Sequence, residues 1–94
     1  MIEIKVLTKN NCRYCGPTKL FLSEQETVLT NVNIEYTNID TVLPEVSETI
    51  IDKYRMQQAP LIVFLRNGHE MARTSGPTAI EEFEDALEYA RTAK

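Results

Sequence analysis

Residues 9–19, KNNCRYCGPTK, contain both cysteines of the chain, Cys12 and Cys15, spaced i and i+3, together with the cations Lys9, Arg13 and Lys19. What flanks this stretch decides the fold. Before it, residues 2–8 (IEIKVLT) alternate apolar and polar with β-branched residues prominent, which is the pattern of a strand. After it, Leu20, Phe21, Leu22, Val28 and Leu29 supply the apolar set of a helix, and Asn10 and Asn11 offer capping side chains at its start. Pro17 would interrupt hydrogen bonding just after the first helical turn and kink the helix there. The cysteine stretch therefore reads as a turn from strand to helix.

The rest of the chain extends the alternation. Residues 32–39 (VNIEYTNI) form a second strand, and after the candidate caps Asp40 and Thr41, residues Leu43, Val46, Ile50, Ile51 and Tyr54 recur at helical spacing up to Arg55. Residues 61–65 (LIVFL) are continuously apolar, as in a central strand buried on both faces. Asn67-Gly68 is a strong hairpin signal leading to a more polar edge strand over residues 69–74. Thr78 and Glu81 form a capping-box pattern for a last helix with Ile80, Phe83, Leu87 and Ala90 on one face and Arg91 and Lys94 at its end. The order is βαβαββα. It predicts an α/β fold with a parallel pair joined by a right-handed crossover and an antiparallel hairpin: a four-stranded mixed sheet with helices on both faces. Cys12 and Cys15 then lie at the carboxyl end of a parallel strand, where open α/β sheets place their sites.

Composition bounds what such a site serves. The 94 residues, 43% of them hydrophobic, suit a single domain spanning 1–94. No apolar run approaches a membrane span, and MIEIKVLT lacks the features of a signal peptide, so a cytoplasmic location is expected. A net charge of −4 argues against nucleic acid or an anionic membrane as partner. The charge is unevenly spread. Residues 1–20 hold Lys5, Lys9, Arg13 and Lys19 against Glu3 alone, a balance of +3, which leaves −7 for residues 21–94.

The two cysteines admit several readings. A structural zinc site needs four ligands, and only two Cys and the distant His69 are available, so a monomer would have to borrow acidic ligands. As a staple, a Cys12–Cys15 disulfide closes so short a loop that its entropic benefit is slight. Two unrelated buried thiols are the plainest alternative. The redox reading has a positive mechanism, because i and i+3 in a first helical turn bring the Cα atoms within disulfide range without forcing the bond. In that reading Cys12, at the helix start, is the nucleophile, favoured as a thiolate by unpaired backbone N–H groups, and Cys15 resolves the mixed disulfide. Lys9 and Arg13 add favourable charge, whereas Lys19 and His69 read as solvated surface and hairpin residues.

The pattern Lys-x-x-Cys-x-Tyr-Cys from Lys9 to Cys15, Ala59-Pro60 opening an apolar strand, and Ser75-Gly76 before an amphipathic helix resembles the glutaredoxins and related small redoxins of the thioredoxin superfamily. The resemblance covers nearly the whole chain. It implies a thioredoxin-like fold and a thiol–disulfide oxidoreductase, with Pro60 in cis facing the nucleophile and Ala59 pairing its backbone with the substrate. Lys9 matches the lysine that binds the glycine carboxylate of glutathione, Tyr14 the aromatic within the dithiol motif, and Ser75-Gly76 the turn that holds the γ-glutamyl end. Arg13 stands where a proline is usual, and the acidic residue expected three positions after the turn falls on Ala79, so the resemblance implies poor handling of glutathione that Ala79→Asp would improve. Redoxins that serve ribonucleotide reductase and draw on thioredoxin reductase share Ser-Gly before the last helix, but the aromatic and Arg-Pro-Asp that follow it there are absent. The implied partners are disulfide-bearing proteins, ribonucleotide reductase among them, acted on by a monomer without a tightly bound cofactor and regenerated by glutathione or a flavoprotein reductase. A metal or iron–sulfur module sharing cysteines across a dimer is the alternative.

Overall fold

The computed structural model describes residues 1–93. Its elements are β1 (Ile2–Thr8), α1 (Cys15–Glu26), β2 (Val32–Asn38), α2 (Pro44–Tyr54), β3 (Leu61–Arg66), β4 (His69–Ser75), a 3-10 turn at Gly76–Thr78 and α3 (Phe83–Thr92). The sheet order is β2-β1-β3-β4, with β1 parallel to β2 and antiparallel to β3, and β3 antiparallel to β4. This is the four-stranded mixed sheet that the strand and helix patterns predict.

The alternation of side chains on β1 and β3 sorts the core into two layers. Ile2, Ile4, Val6, Ile62 and Phe64 face α1 and α3, where they bury against Leu22, Ala79, Phe83, Ala86, Leu87 and Ala90. Phe83 is the hub of this layer, edge-on to Phe21 at 5.3 Å between centroids and tilted to Phe64 at 5.4 Å. Such aromatic pairs add about 0.5–1.5 kcal/mol each beyond the burial of their surface. Leu7, Leu61, Val63 and Leu65 face the other way, toward Tyr54, Ile50 and Met56. This second layer is thinner, covered by α2 alone. It leaves Leu43 and Val46 of the predicted apolar face 67% and 43% exposed.

Turn chemistry fixes the right-hand edge of the sheet. Asn67 and Gly68 both take positive φ, 53° and 81°, which gives the hairpin the twist its strands require. Arg66, the last residue of β3, donates from its guanidinium to the carbonyls of Ala90, Arg91 and Ala93 and so closes the C-terminal end of α3. On the opposite edge, Lys5 Nζ donates to Glu35 at 3.0 Å across the β1–β2 register, and that bond raises the ammonium's pKa.

The helix starts differ from those the sequence suggests, and the same side chains explain why. Asn10, Asn11 and Asp40 cap no helix: α1 begins after Tyr14 and α2 after Leu43, with Pro44 at its first position and no side-chain cap on either. Instead the Asn10 N–H donates to Asp40 Oδ2 at 2.7 Å, Asn38 Nδ2 donates to Asn10 Oδ1 at 3.1 Å, and the Asp40 N–H donates to Asn38 Oδ1 at 2.8 Å. Thr41 Oγ1 donates to the Asn38 carbonyl at 3.1 Å rather than capping α2. These residues tie the loop after β1 to the loop after β2. Because α1 starts at Cys15, Pro17 falls in its first turn, where the missing N–H had no partner to lose, so it interrupts no helical bond. The helix also ends at Glu26, before Val28 and Leu29.

The last helix is shorter than expected as well. The Thr78–Glu81 capping box does not form: Thr78 Oγ1 donates to Glu82 Oε1 at 2.8 Å, and α3 starts only at Phe83. Ala79, in the intervening turn, is 1% exposed and packs in the main core layer, while Ile80 turns outward at 36%. Lys94, assigned to this helix end from the sequence, lies outside the described residues.

Two outcomes follow for stability. Ala79→Asp buries a carboxylate among apolar neighbours without a partner and is expected to cost about 3–5 kcal/mol in urea unfolding, with no gain in turnover of glutathione mixed disulfides. Asp40→Ala removes the acceptor of the Asn10 N–H and is expected to cost about 1 kcal/mol, with the Asn10 amide exchanging faster with deuterium.

Candidate active site

The chain leaves β1 at Thr8, passes through Asn11 at φ 55°, and reaches a disulfide between Cys12 and Cys15 whose Cα atoms are 5.4 Å apart. Both cysteines are expected in a helical first turn, but only Cys15 is helical; Cys12 lies in the loop, three residues ahead of it. The displacement separates their exposures. Cys15 is 6% exposed, while Cys12 is half-buried and faces the loop surface. The N–H groups of Cys15 and Gly16 open α1 without any side-chain cap, Pro17 has none, and the Thr18 N–H makes the first helical bond, to the Tyr14 carbonyl at 3.1 Å. Uncapped N–H groups at a helix start favour negative charge nearby, which here means on the sulfur released when the disulfide opens.

An open depression of about 570 Å³ surrounds the disulfide, lined by Thr8, Lys9, Asn11, Cys12, Arg13, Cys15, Gly16, Lys19 and Asn38. It gathers Lys9 and Arg13 around the sulfurs, as the motif suggests. Lys19, which reads as ordinary surface charge, lines it too, because it stands one helical turn after Cys15 on the same face. Among the described residues none of these three cations makes an ion pair. The Arg13 guanidinium lies 5.6 Å from the centroid of the Tyr14 ring, and that ring is 37% exposed and outside the depression wall.

Strand register brings the second half of the site to the same end of the sheet. Leu7 pairs with Leu61, and Leu61 with Ser75, so the residues just beyond them, Thr8, Pro60 and Gly76, lie side by side at one edge. The Ala59-Pro60 bond is cis, Pro60 is fully buried, and its carbonyl accepts the Gly76 N–H at 2.9 Å. Ala59 lines a smaller pocket of about 100 Å³ with Lys9, Ile39, Ile51, Met56, Gln57 and Gln58, so Lys9 is a wall shared by both concavities. Gly76 sits at φ 60°, and a Cβ there would fall 2.8 Å from Gln58 Cδ, so the position admits only glycine without rearrangement. Gln58 Nε2 donates to Ser75 Oγ at 3.2 Å.

Not every candidate joins this arrangement. Ser75 is engaged by Gln58 and opens onto a separate depression with Arg55 and Arg73, and the Arg73 pKa is raised by its bidentate bond to Glu70. His69 begins β4 opposite Arg66, at the far end of the sheet, about 20 Å from Thr8 at the rise of a strand. Among the described residues no group of three or more His, Cys, Asp or Glu is placed to hold a metal ion. Gln58, Asn38 and the apolar trio Ile39, Ile51 and Met56 escape sequence reasoning, since nothing in their local pattern distinguishes them; Lys19 could have been found from its i+4 relation to Cys15.

No protein-family model matches the chain, and no curated protein matches it in sequence. Solved structures do resemble it. Thioredoxin O2 from Arabidopsis thaliana in its oxidised state matches with a TM-score of 0.79 at 17% identity, over 100% of this chain and 76% of that one. Thioredoxin-2, a component of malaria parasite protein secretion machinery, matches with a TM-score of 0.75 at 13% identity, over 94% of this chain and 82% of that one. Desulfothioredoxin from Desulfovibrio vulgaris Hildenborough in its reduced form matches with a TM-score of 0.73 at 20% identity, over 93% of this chain and 79% of that one. The chain has the thioredoxin fold, and it carries a Cys-x-x-Cys disulfide at the carboxyl end of its first strand.

Proposed function

We propose that the chain is a dithiol thiol–disulfide oxidoreductase that reduces protein disulfides. The observation that carries this reading is the Cys12–Cys15 disulfide, set in the wall of an open, cation-lined depression at the carboxyl end of β1. As a structural staple the bond is at the low end of what disulfides contribute: closing a loop this short stabilises by roughly 2 kcal/mol in the chain-entropy account. Buried and unrelated thiols would not share one bond beside an open surface. The thioredoxin fold supports the same chemistry.

The reaction begins with the reduced pair. The Cys12 thiolate attacks one sulfur of a substrate disulfide, that sulfur joins Cys12 in a mixed disulfide, and the other substrate sulfur leaves as a thiolate that takes up a proton. Cys15 then gives up its proton and attacks the Cys12 sulfur, restoring the Cys12–Cys15 disulfide and releasing the second substrate thiol. The protein loses two electrons and the substrate gains two. The exposures support this division of roles, because a bulky disulfide reaches half-buried Cys12 more readily than buried Cys15. Ala59, in the pocket beside Lys9, is the position whose backbone would align the substrate chain.

For regeneration, a flavoprotein reductase is favoured over glutathione. Lys9 can hold a carboxylate of the tripeptide, but the Ala79 side chain is buried and offers no counter-charge to the γ-glutamyl ammonium. A hydrogen bond to a charged group contributes about 1.5–3 kcal/mol, so its loss weakens binding by about ten- to a hundredfold.

Alkylation of the reduced protein near neutral pH is expected to label Cys12 at least tenfold faster than Cys15, by mass spectrometry of the digested protein; equal rates would remove the assignment of roles. Cys15→Ser is expected to accumulate a mixed disulfide with a disulfide-bonded protein substrate, while Cys12→Ser forms none and both variants stay folded by circular dichroism. With a single disulfide protein as substrate, turnover coupled to a thioredoxin reductase should exceed turnover coupled to reduced glutathione by about tenfold or more; the reverse order would return glutathione to the role of reductant.

A further inference from the structure

We propose that this site selects disulfides embedded in acidic protein segments that also present an apolar side chain beside the cysteine. The inference rests on the redox reading above and names the substrate class for it. Its first support is charge. Lys9, Arg13 and Lys19 line one depression around the sulfurs, no acidic residue lines it, and among the described residues none of the three makes an ion pair. Asp40, in the adjoining loop, accepts the Asn10 N–H. The arrangement is set against the chain as a whole, which carries −4. Three unmatched cations gathered in a concavity focus the field there and draw anionic groups toward the sulfurs.

Its second support is shape. The smaller pocket shares Lys9 as a wall and places Ile39, Ile51 and Met56 next to Ala59. A segment whose cysteine lies at Cys12 therefore meets the cations of the larger depression and, across Lys9, a recess whose Gln57 and Gln58 rim leaves Ile39, Ile51 and Met56 for an apolar side chain. Carboxylates can come from glutathione as well as from a protein, but glutathione has no apolar side chain for that recess. An acidic protein segment with a leucine-like neighbour satisfies both halves.

The test uses the full chain, prereduced with dithiothreitol and freed of it, in single turnovers where the Cys12–Cys15 dithiol passes two electrons to the probe. The probes are matched peptides holding one disulfide, with a neighbouring Leu and flanks of Glu, Gln or Lys, alongside a Glu-flanked peptide in which Ser replaces the Leu, and oxidised glutathione. The Glu-flanked peptide is expected to react about tenfold or more faster than the Lys-flanked one at low salt, within the range that steering supplies. That ratio should fall toward one as salt rises from roughly 0.01 M to roughly 1 M and the Debye length shrinks from about 30 Å to about 3 Å. The Ser-for-Leu peptide should react severalfold more slowly than its parent. Lys9→Glu with Arg13→Glu and Lys19→Glu should invert the charge ranking, and the salt series on the unaltered chain decides the matter if that variant does not fold. Rates independent of flanking charge at both salt levels overturn the inference while leaving the redox reading in place. Oxidised glutathione reacting as fast as the Glu–Leu peptide overturns it too, in favour of a tripeptide site. If no probe of any charge is reduced, the redox reading itself has failed.

Discussion

The pairing of β1 on both its edges is the constraint on which the rest of this structure depends. Its parallel partner β2 fixes the crossover helix α1, and its antiparallel partner β3 fixes where the Ala59-Pro60 segment enters the sheet. Because side chains alternate, the register Leu7 to Leu61 cannot slip by one residue without turning Ile4, Val6, Ile62 and Phe64 out of the main core layer. The same register sets Thr8, Pro60 and Gly76 side by side, a relation secured by the bond from the Gly76 N–H to the Pro60 carbonyl. The site is thus a by-product of core packing. Strands that bury their faces correctly place the disulfide loop next to the segment that lines the smaller pocket.

Local polar chemistry then shapes what stands at that edge. The Asn10, Asn38 and Asp40 side chains bind the loops after β1 and β2 to each other, which leaves α1 uncapped at the end nearest the disulfide. A cap would have satisfied the N–H groups that favour a negative sulfur. Gln58 similarly closes over Gly76, filling the space a side chain there would take, and holds Ser75 by its hydroxyl. Electrostatics divides along the chain in the same way, with cations collected at the disulfide and acids carried by the remainder.

Much of the fold was legible in the sequence. Alternation over residues 2–8 and 32–39, the apolar run 61–65 and Asn67-Gly68 each reflect a local backbone preference coupled to burial, and each became the element it signalled. The Cys12–Cys15 pair was legible because its meaning lies in spacing and in its place after a strand. Helix starts are the part of the fold that local pattern does not fix. Asn10, Asn11, Asp40 and Thr78 are good caps in isolation, yet Asn10 and Asp40 bond across the two loops, Asn11 takes positive φ in the turn, and Thr78 bonds Glu82 within the turn before α3.

The sequence by itself determined the order of elements, the disulfide spacing of the cysteines and the excess of positive charge near them, since all three rest on residues close together in the chain. Only the tertiary structure decided which of those charges matter and which residues face one another. Lys19 became part of the site because helix geometry returns it to the face of Cys15, and Ala79 left it because the turn before α3 folds that side chain into the core beside Phe83. Ile39, Ile51, Met56 and Gln58 have no local mark of function. They meet Ala59 because two loops and α2 converge at the end of the sheet, and such convergence is set by how layers pack across the whole chain.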